Sequence, residues 1–264
     1  MADLSGGSLD LRALRAEARA RLGTANVPPI RFTALYLAVG LILSLFAAAL
    51  DRMLADSVGS LNFASLSFSF ASVVVSLLSL VLMAGYESYC LAVGRGGEAP
   101  YEALFDGFPF AGKVILMMLL EGTLIFFGSM LFFVPGVILA LAYALSMTNL
   151  CDHPERGAFD AMRSSRAQMR GHKGEYLLLL LSFWPYFVLL LLLMAADSLF
   201  LYALFPETML GTLLHTLLVA LLDGAIALYF MPWLSLTRIG VYRALTEEPD
   251  GSAPALPDGW DERY

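Results

Sequence analysis

Charge is scarce in this chain. Only 15% of its 264 residues are Asp, Glu, Lys or Arg, where a soluble domain carries ~25%. Cysteine and histidine are scarcer still, at two and three residues, and no metal-ligand spacing surrounds them. No HExxH, GxSxG or Gly-rich phosphate loop occurs. The usual signatures of metal-assisted, serine-nucleophile and nucleotide-phosphate chemistry are therefore missing. The chain reads as no enzyme and as a holder of no cofactor and no metal. No basic stripe interleaved with aromatics is present, so no nucleic-acid partner is expected. Nor is a cleavable signal expected: the N-terminal segment is polar and charged, and the first apolar run begins at Phe32.

Apolar sequence fills the chain instead. Hydrophobic residues make up 59%, and the mean hydropathy is +0.73. Soluble domains run ~45–50% apolar. The runs are long enough to cross a bilayer, which takes ~20 residues per helix. Six spans are predicted: Phe32–Leu50, Ala64–Tyr86, Val114–Phe133, a fourth from a tight turn at Pro135 and Gly136 to Leu150, Tyr176–Ala196 and Thr212–Leu236. Each must be helical, because lipid offers no water to backbone groups. The expected fold is all-α: a polytopic membrane protein of six transmembrane helices with short cytoplasmic interfacial amphipathic helices.

Orientation follows from the Lys and Arg count in the short loops. Fifteen of the 16 fall on the side of the two termini, and Arg52 alone falls opposite. Both termini are therefore placed in the cytoplasm of a multi-pass protein. The net charge of −7 says little about partners, because many of the acids lie in the tails. Cys90 and Cys151 fall at cytoplasmic helix ends and are expected to be reduced. Glu87, between Tyr86 and Tyr89, reads as an interfacial group at the end of the second span. Three regions result: a cytoplasmic helix and linker over 1–31, a six-span bundle over 32–243, and an acidic cytoplasmic tail over 244–264.

An amphipathic segment precedes each odd-numbered span. Leu11, Leu14, Ala18 and Leu22 share one face of the first, with Arg12, Arg15 and Arg19 on another. The second is Pro100–Phe105. The third opens with Asp152 and Pro154, a cap-and-first-turn pattern, and ends at Gly171. Such segments lie at headgroup depth. The chain thus divides into three units of interfacial helix, span and span, either as repeats or because loops beside spans are simply basic and amphipathic.

The run from Pro135 to Trp184 is the most specific text. It reads Pro135-Gly136, Tyr143, Asp152, Pro154, Ala161-Met162, Ser165-Arg166, Met169, Gly171-His172-Lys173 and Leu181-Ser182-Phe183-Trp184. This resembles the bacterial membrane protein family catalogued as domain of unknown function 975. The wider group is similar to the membrane domain found beside some glycerophosphodiester phosphodiesterases. The resemblance implies a bacterial plasma-membrane location and a topology, and no mechanism. Trp184-Pro185-Tyr186 departs from the family's unbroken apolar stretch and leaves the shape of span five open.

Few residues carry chemistry. Glu121 in span three and Asp223 in span six are acids at a depth where an ionised group costs ~2.5–3.5 kcal/mol or more. His215 stands eight residues before Asp223. They read either as a proton- or cation-coupled pathway or as protonated acids hydrogen-bonded between helices. Ser65, Ser69, Ser72, Ser76 and Ser79 recur at spacings of 4, 3, 4 and 3, a helical face suited to close packing or to a polar conduit. Arg163, Arg166, Arg170, His172 and Lys173 form a candidate site for lipid headgroups, or a plain basic anchor. Pro185 and Pro232 invite kinks.

Three function classes stay open. The first is a structural or accessory membrane protein that binds membrane lipids, further copies of itself or a membrane protein partner. The second is a small transporter or exporter using Glu121 and Asp223. The third is a membrane domain serving a lipid-modifying enzyme.

Overall fold

The computed structural model describes residues 10–22, 27–58, 70–197, 204 and 208–246. These are helical, with no strand among them. The helices are α1 (Leu11–Arg21), α2 (Pro29–Val58), α3 (Phe70–Gly94), α4 (Ala111–Leu131), α5 (Phe133–Ala142), α6 (Ser146–Asp152), α7 (Ala158–Gln168), α8 (Lys173–Leu181), α9 (Trp184–Ala196) and α10 (Met209–Thr246). Two 3₁₀ turns, Tyr101–Phe105 and Phe108–Phe110, lead into α4. Among the described residues five helices are long and apolar enough to cross a membrane, and six if α8 and α9, bent by 59° at the break between them, count as one span. The protein is a polytopic all-α membrane protein.

The ends of these spans differ from the sequence expectation in instructive ways. The second span runs on to Gly94 and the sixth to Thr246, past Glu87 and Arg238, where hydropathy had ended them. The two charges pair with each other, which offsets their desolvation, and neither stops its helix. Pro185 sits in the first turn of α9, where proline has no hydrogen bond to lose. The bend falls just before it, at Ser182 and Phe183. Pro232 lies inside an uninterrupted α10. The turn expected at Pro135 and Gly136 comes earlier, at Phe132, whose backbone is extended. Gly136 lets α4 and α5 close together: a Cβ there would stand 1.9 Å from Ser129 Oγ. Gly85 does the same where α3 meets the first 3₁₀ turn, since its Cβ would stand 1.9 Å from the Leu104 carbonyl oxygen.

The main core lies at the basic end of the bundle, the end that carries most Lys and Arg. Phe32 stacks on Tyr89 with ring centroids 3.6 Å apart. Tyr89 donates its hydroxyl to the Val27 carbonyl at 2.7 Å, and the Tyr86 and Thr33 hydroxyls pair at 2.9 Å. Each buried hydroxyl thus has a partner, as a low-dielectric interior requires.

The interfacial segments do not simply float on lipid. Asp10 caps α1 by accepting from the Arg12 and Ala13 amides at 3.1 and 3.0 Å. The apolar face of α1 packs on α10 and α3, burying Ala18 and Leu22. The first 3₁₀ turn packs on α3, and α7 packs on α6 and α4. Each segment therefore covers the second span of the unit before it, and α1 closes the circle on α10. The segment after span four begins its helix at Ala158 rather than at Pro154. Asp160 accepts from the Gly157 amide at 3.2 Å, and Asp152 instead closes α6.

Candidate functional site

Three spans, α3, α6 and α10, bring polar side chains together at the basic end in two layers one helical turn apart on α6 and α10. In the inner layer Glu87 is 1% exposed. It accepts from the Thr148 hydroxyl at 2.5 Å and is ion-paired to Arg238. In the outer layer Asp152 takes both guanidinium donors of Arg95, at 2.5 and 2.8 Å, and the Tyr242 hydroxyl at 2.7 Å. Glu87 is thus not the interfacial group its tyrosine neighbours suggested. It is a core residue, tolerable there because a charge-assisted partner offsets its desolvation. Sequence analysis singled out Glu87 and Asp152 but not Thr148, Arg95, Arg238 or Tyr242. Their convergence needed the packing of three distant segments.

Next to these layers, α7 repairs a break in span four. The chain leaves the helix between Ala142 and Ser146, which strands backbone groups in an apolar setting. Ser165 supplies both replacements: its hydroxyl donates to the Ala142 carbonyl at 3.0 Å and accepts from the Leu145 amide at 3.1 Å. Asn149 and Gln168 exchange amide hydrogen bonds at 2.8 and 3.0 Å. Met162 and Met169 are buried against the bundle. Gly171 adopts φ +86°, a left-handed turn that suits glycine.

The headgroup candidates divide. Arg163, Arg166 and Arg170 are exposed on the outer face of α7 and the turn after it. Lys173 is half-buried. His172 stands 3.0 Å from the Glu175 carboxylate in the first turn of α8.

The first helix is pinned by Arg15. Its guanidinium lies 5.1 Å from the ring centres of both Phe183 and Trp233, and Trp233 Nε1 donates to its carbonyl at 3.3 Å. Arg21 donates to the Val93 carbonyl at 3.2 Å and Arg243 to the Gly94 carbonyl at 2.7 Å, which closes the end of α3.

The membrane-depth acids sit apart. Glu121 is buried on α4 beside Ser146, and its Oε1 has no hydrogen-bond partner among the described residues. Asp223 lines a partly open cleft of about 360 Å³ between α2, α3, α9 and α10. Glu121 and His215 do not line that cleft, so the structure does not gather the three residues at one cavity. His215 Nε2 stands 2.6 Å from Asp197 Oδ1. Asp197, at the end of α9, was not among the sequence candidates, and only its place at a span end signalled it.

The serine stripe is partly visible. Ser65 and Ser69 lie outside the described residues, as does the side chain of Ser72. Ser76 is exposed, while Ser79 lines the cleft with its hydroxyl donated to the Val75 carbonyl at 2.8 Å. The described part of the stripe therefore turns from the bundle surface into the cleft. Among the described residues no group of His, Cys, Asp and Glu is arranged to hold a metal. Cys90 and Cys151 are both free thiols.

Residues 119–249 match the family described as protein of unknown function (DUF975). The match takes in α6, α7, the bent span and α10, and with them Thr148, Asp152, Ser165, Arg238 and Tyr242. No curated protein and no solved structure matches the chain.

Proposed function

We propose that this protein is an accessory protein of the bacterial plasma membrane, with both termini cytoplasmic, that binds anionic lipid headgroups at its basic end and performs no catalysis. The observation that carries this reading is the cluster of exposed cations there. Arg95 and Arg238 are ion-paired to Asp152 and Glu87. Arg163, Arg166 and Arg170 stand exposed on the α7 side of the same end. A row of exposed guanidinium groups at headgroup depth suits phosphate, which Arg binds in a bidentate fork, and each cation near an anionic surface adds ~1 kcal/mol of attraction.

The test is lipid retention. The purified protein, reconstituted with mixed zwitterionic and anionic lipids, is expected to keep anionic lipid selectively through delipidation. Replacing Arg163, Arg166 and Arg170 together by Gln is expected to remove that selectivity and leave the melting temperature nearly unchanged. Equal retention of both lipid classes by the unaltered protein contradicts the reading.

A second reading, a small cation-coupled transporter, is favoured by the cleft at Asp223. It differs from the sequence expectation in using Asp223 without Glu121. Ion flux in proteoliposomes that Asp223→Asn removes is its test.

A further inference from the structure

The cleft between α2, α3, α9 and α10 carries chemistry that the lipid-headgroup reading does not use. Its lining is mainly apolar, with Leu37, Leu41, Leu82 and Leu190 as walls and Asp223 as the charged group. No Lys, Arg or His is among the lining residues, and Asp223 meets no donor or cation among the described residues. A second carboxylate, Asp197 at the end of α9, is held by His215. The field in the cleft is therefore negative.

The hydroxyls of the cleft add to that bias. Ser44 donates to the Leu41 carbonyl at 2.9 Å and Ser79 to the Val75 carbonyl at 2.8 Å. Their hydrogens are turned into their own helices, so what each presents outward is an acceptor oxygen. Tyr36 and Tyr186 supply aromatic side chains, held by contacts with Tyr86 at 5.0 Å and Phe230 at 4.9 Å between ring centres. Aromatic faces attract cations. Small residues make the space: Gly40, Ala220, Gly224 and Ala227 line it, and a Cβ added at Gly40 or Gly224 meets nothing within 4 Å. A volume of about 360 Å³ lies within the ~300–1,000 Å³ range of small-molecule sites.

We infer that the cleft binds a lipophilic organic monocation that enters from the bilayer, with Asp223 as its counter-charge and the tyrosines and leucines around its apolar body. An anion of the same shape meets a carboxylate there, with the Tyr36 and Tyr186 hydroxyls as the donors among the lining side chains. An acyl chain leaves the carboxylate unmatched. The inference deepens the second reading above by naming a ligand class, and it stands on binding alone, without requiring transport.

The probe is tetraphenylphosphonium, with tetraphenylborate as the isosteric anion, each titrated against the full chain in detergent by equilibrium dialysis. The unaltered protein is expected to bind the cation saturably and the anion not at all. Asp223→Asn is expected to weaken cation binding by roughly tenfold or more, the scale of one lost charge-assisted contact. Gly224→Leu fills the cleft from an open position and is expected to abolish saturable binding without lowering the melting temperature. Absence of saturable cation binding, equal binding of both ions, or binding unchanged by Asp223→Asn overturns the inference. Should Asp223→Asn fail to fold, unchanged binding by Gly224→Leu overturns it equally. Saturable binding without flux in proteoliposomes leaves the site standing and removes only the transport reading.

Discussion

The two ends of this bundle handle polarity in opposite ways. At the basic end every charge drawn into the interior meets a partner from another helix: Glu87 with Arg238 and Thr148, Asp152 with Arg95 and Tyr242. Aromatic stacking and the α1 and α7 helices cover what remains. Toward the other end the helices present apolar side chains outward. Met130 is 76% exposed and Leu131 73%, and between the spans lies an open cleft with an unneutralised carboxylate. Lipid satisfies the leucines and methionines of the second region, whereas only protein satisfies the charges of the first. Stability is therefore concentrated where the polar groups are, and the half that is free to take a ligand contributes less to it.

The contrast is sharpest at Glu87. Truncating it leaves Arg238 charged without its partner, and Glu87→Ala is expected to lower stability by ~3–5 kcal/mol, the cost of orphaning one member of a buried pair. Thermal unfolding in detergent checks this. A loss below about 1 kcal/mol means that water reaches Arg238 and that this end is not sealed.

Ser165 comes next. Ser165→Ala removes one donor and one acceptor from the break in span four, and a loss of ~1–3 kcal/mol is expected. Hydrogen exchange at the Leu145 amide should rise with it, because that amide loses its only side-chain cap. Unchanged exchange there contradicts the clasp. Gly136→Ala forces a Cβ against Ser129 and is expected to cost ~1–3 kcal/mol through overpacking. Adding Ser129→Gly should recover much of that loss if the close approach is its cause.

Asp223→Asn lies at the bottom of the scale. Its side chain has no partner to lose, so a change within ~0.5 kcal/mol is expected, whatever it does to ligand binding. A loss as large as that of Glu87→Ala would make the two ends alike and the comparison wrong.

Much of the fold was legible because lipid leaves few options. Long apolar runs dictated helices, and the alternation with basic loops dictated their number. What escaped was governed by pairing across distance. Hydropathy ended the second span at Tyr86 and the sixth at Leu236 because Glu87 and Arg238 are charged, yet each cancels the other and both helices continue. Asp152 looked like the start of a helix because Pro154 follows it, whereas Arg95 and Tyr242, from two other segments, employ it at the end of α6. Met162, Ser165 and Met169 recur at spacings of 3 and 4, which puts them on one helical face. That spacing had no means of showing that Ser165 mends a break in a neighbouring span. Asp223 stood out by depth, but the cleft around it depends on Gly40 and Ser44 of α2 and on Gly224 of its own helix, small residues that carry no signal until the helices are assembled.

The account rests on the Glu87–Arg238 pair as the tie between α3 and α10, and a double-mutant cycle tests it most directly. Glu87→Gln, Arg238→Gln and the double variant are compared in melting experiments on the full chain in detergent. The two residues in contact should couple by ~1–3 kcal/mol, so that the double variant is clearly more stable than the sum of the single losses predicts. Additive losses, with coupling below about 0.5 kcal/mol, contradict the pairing and with it the claim that neutralised charge holds the basic end together.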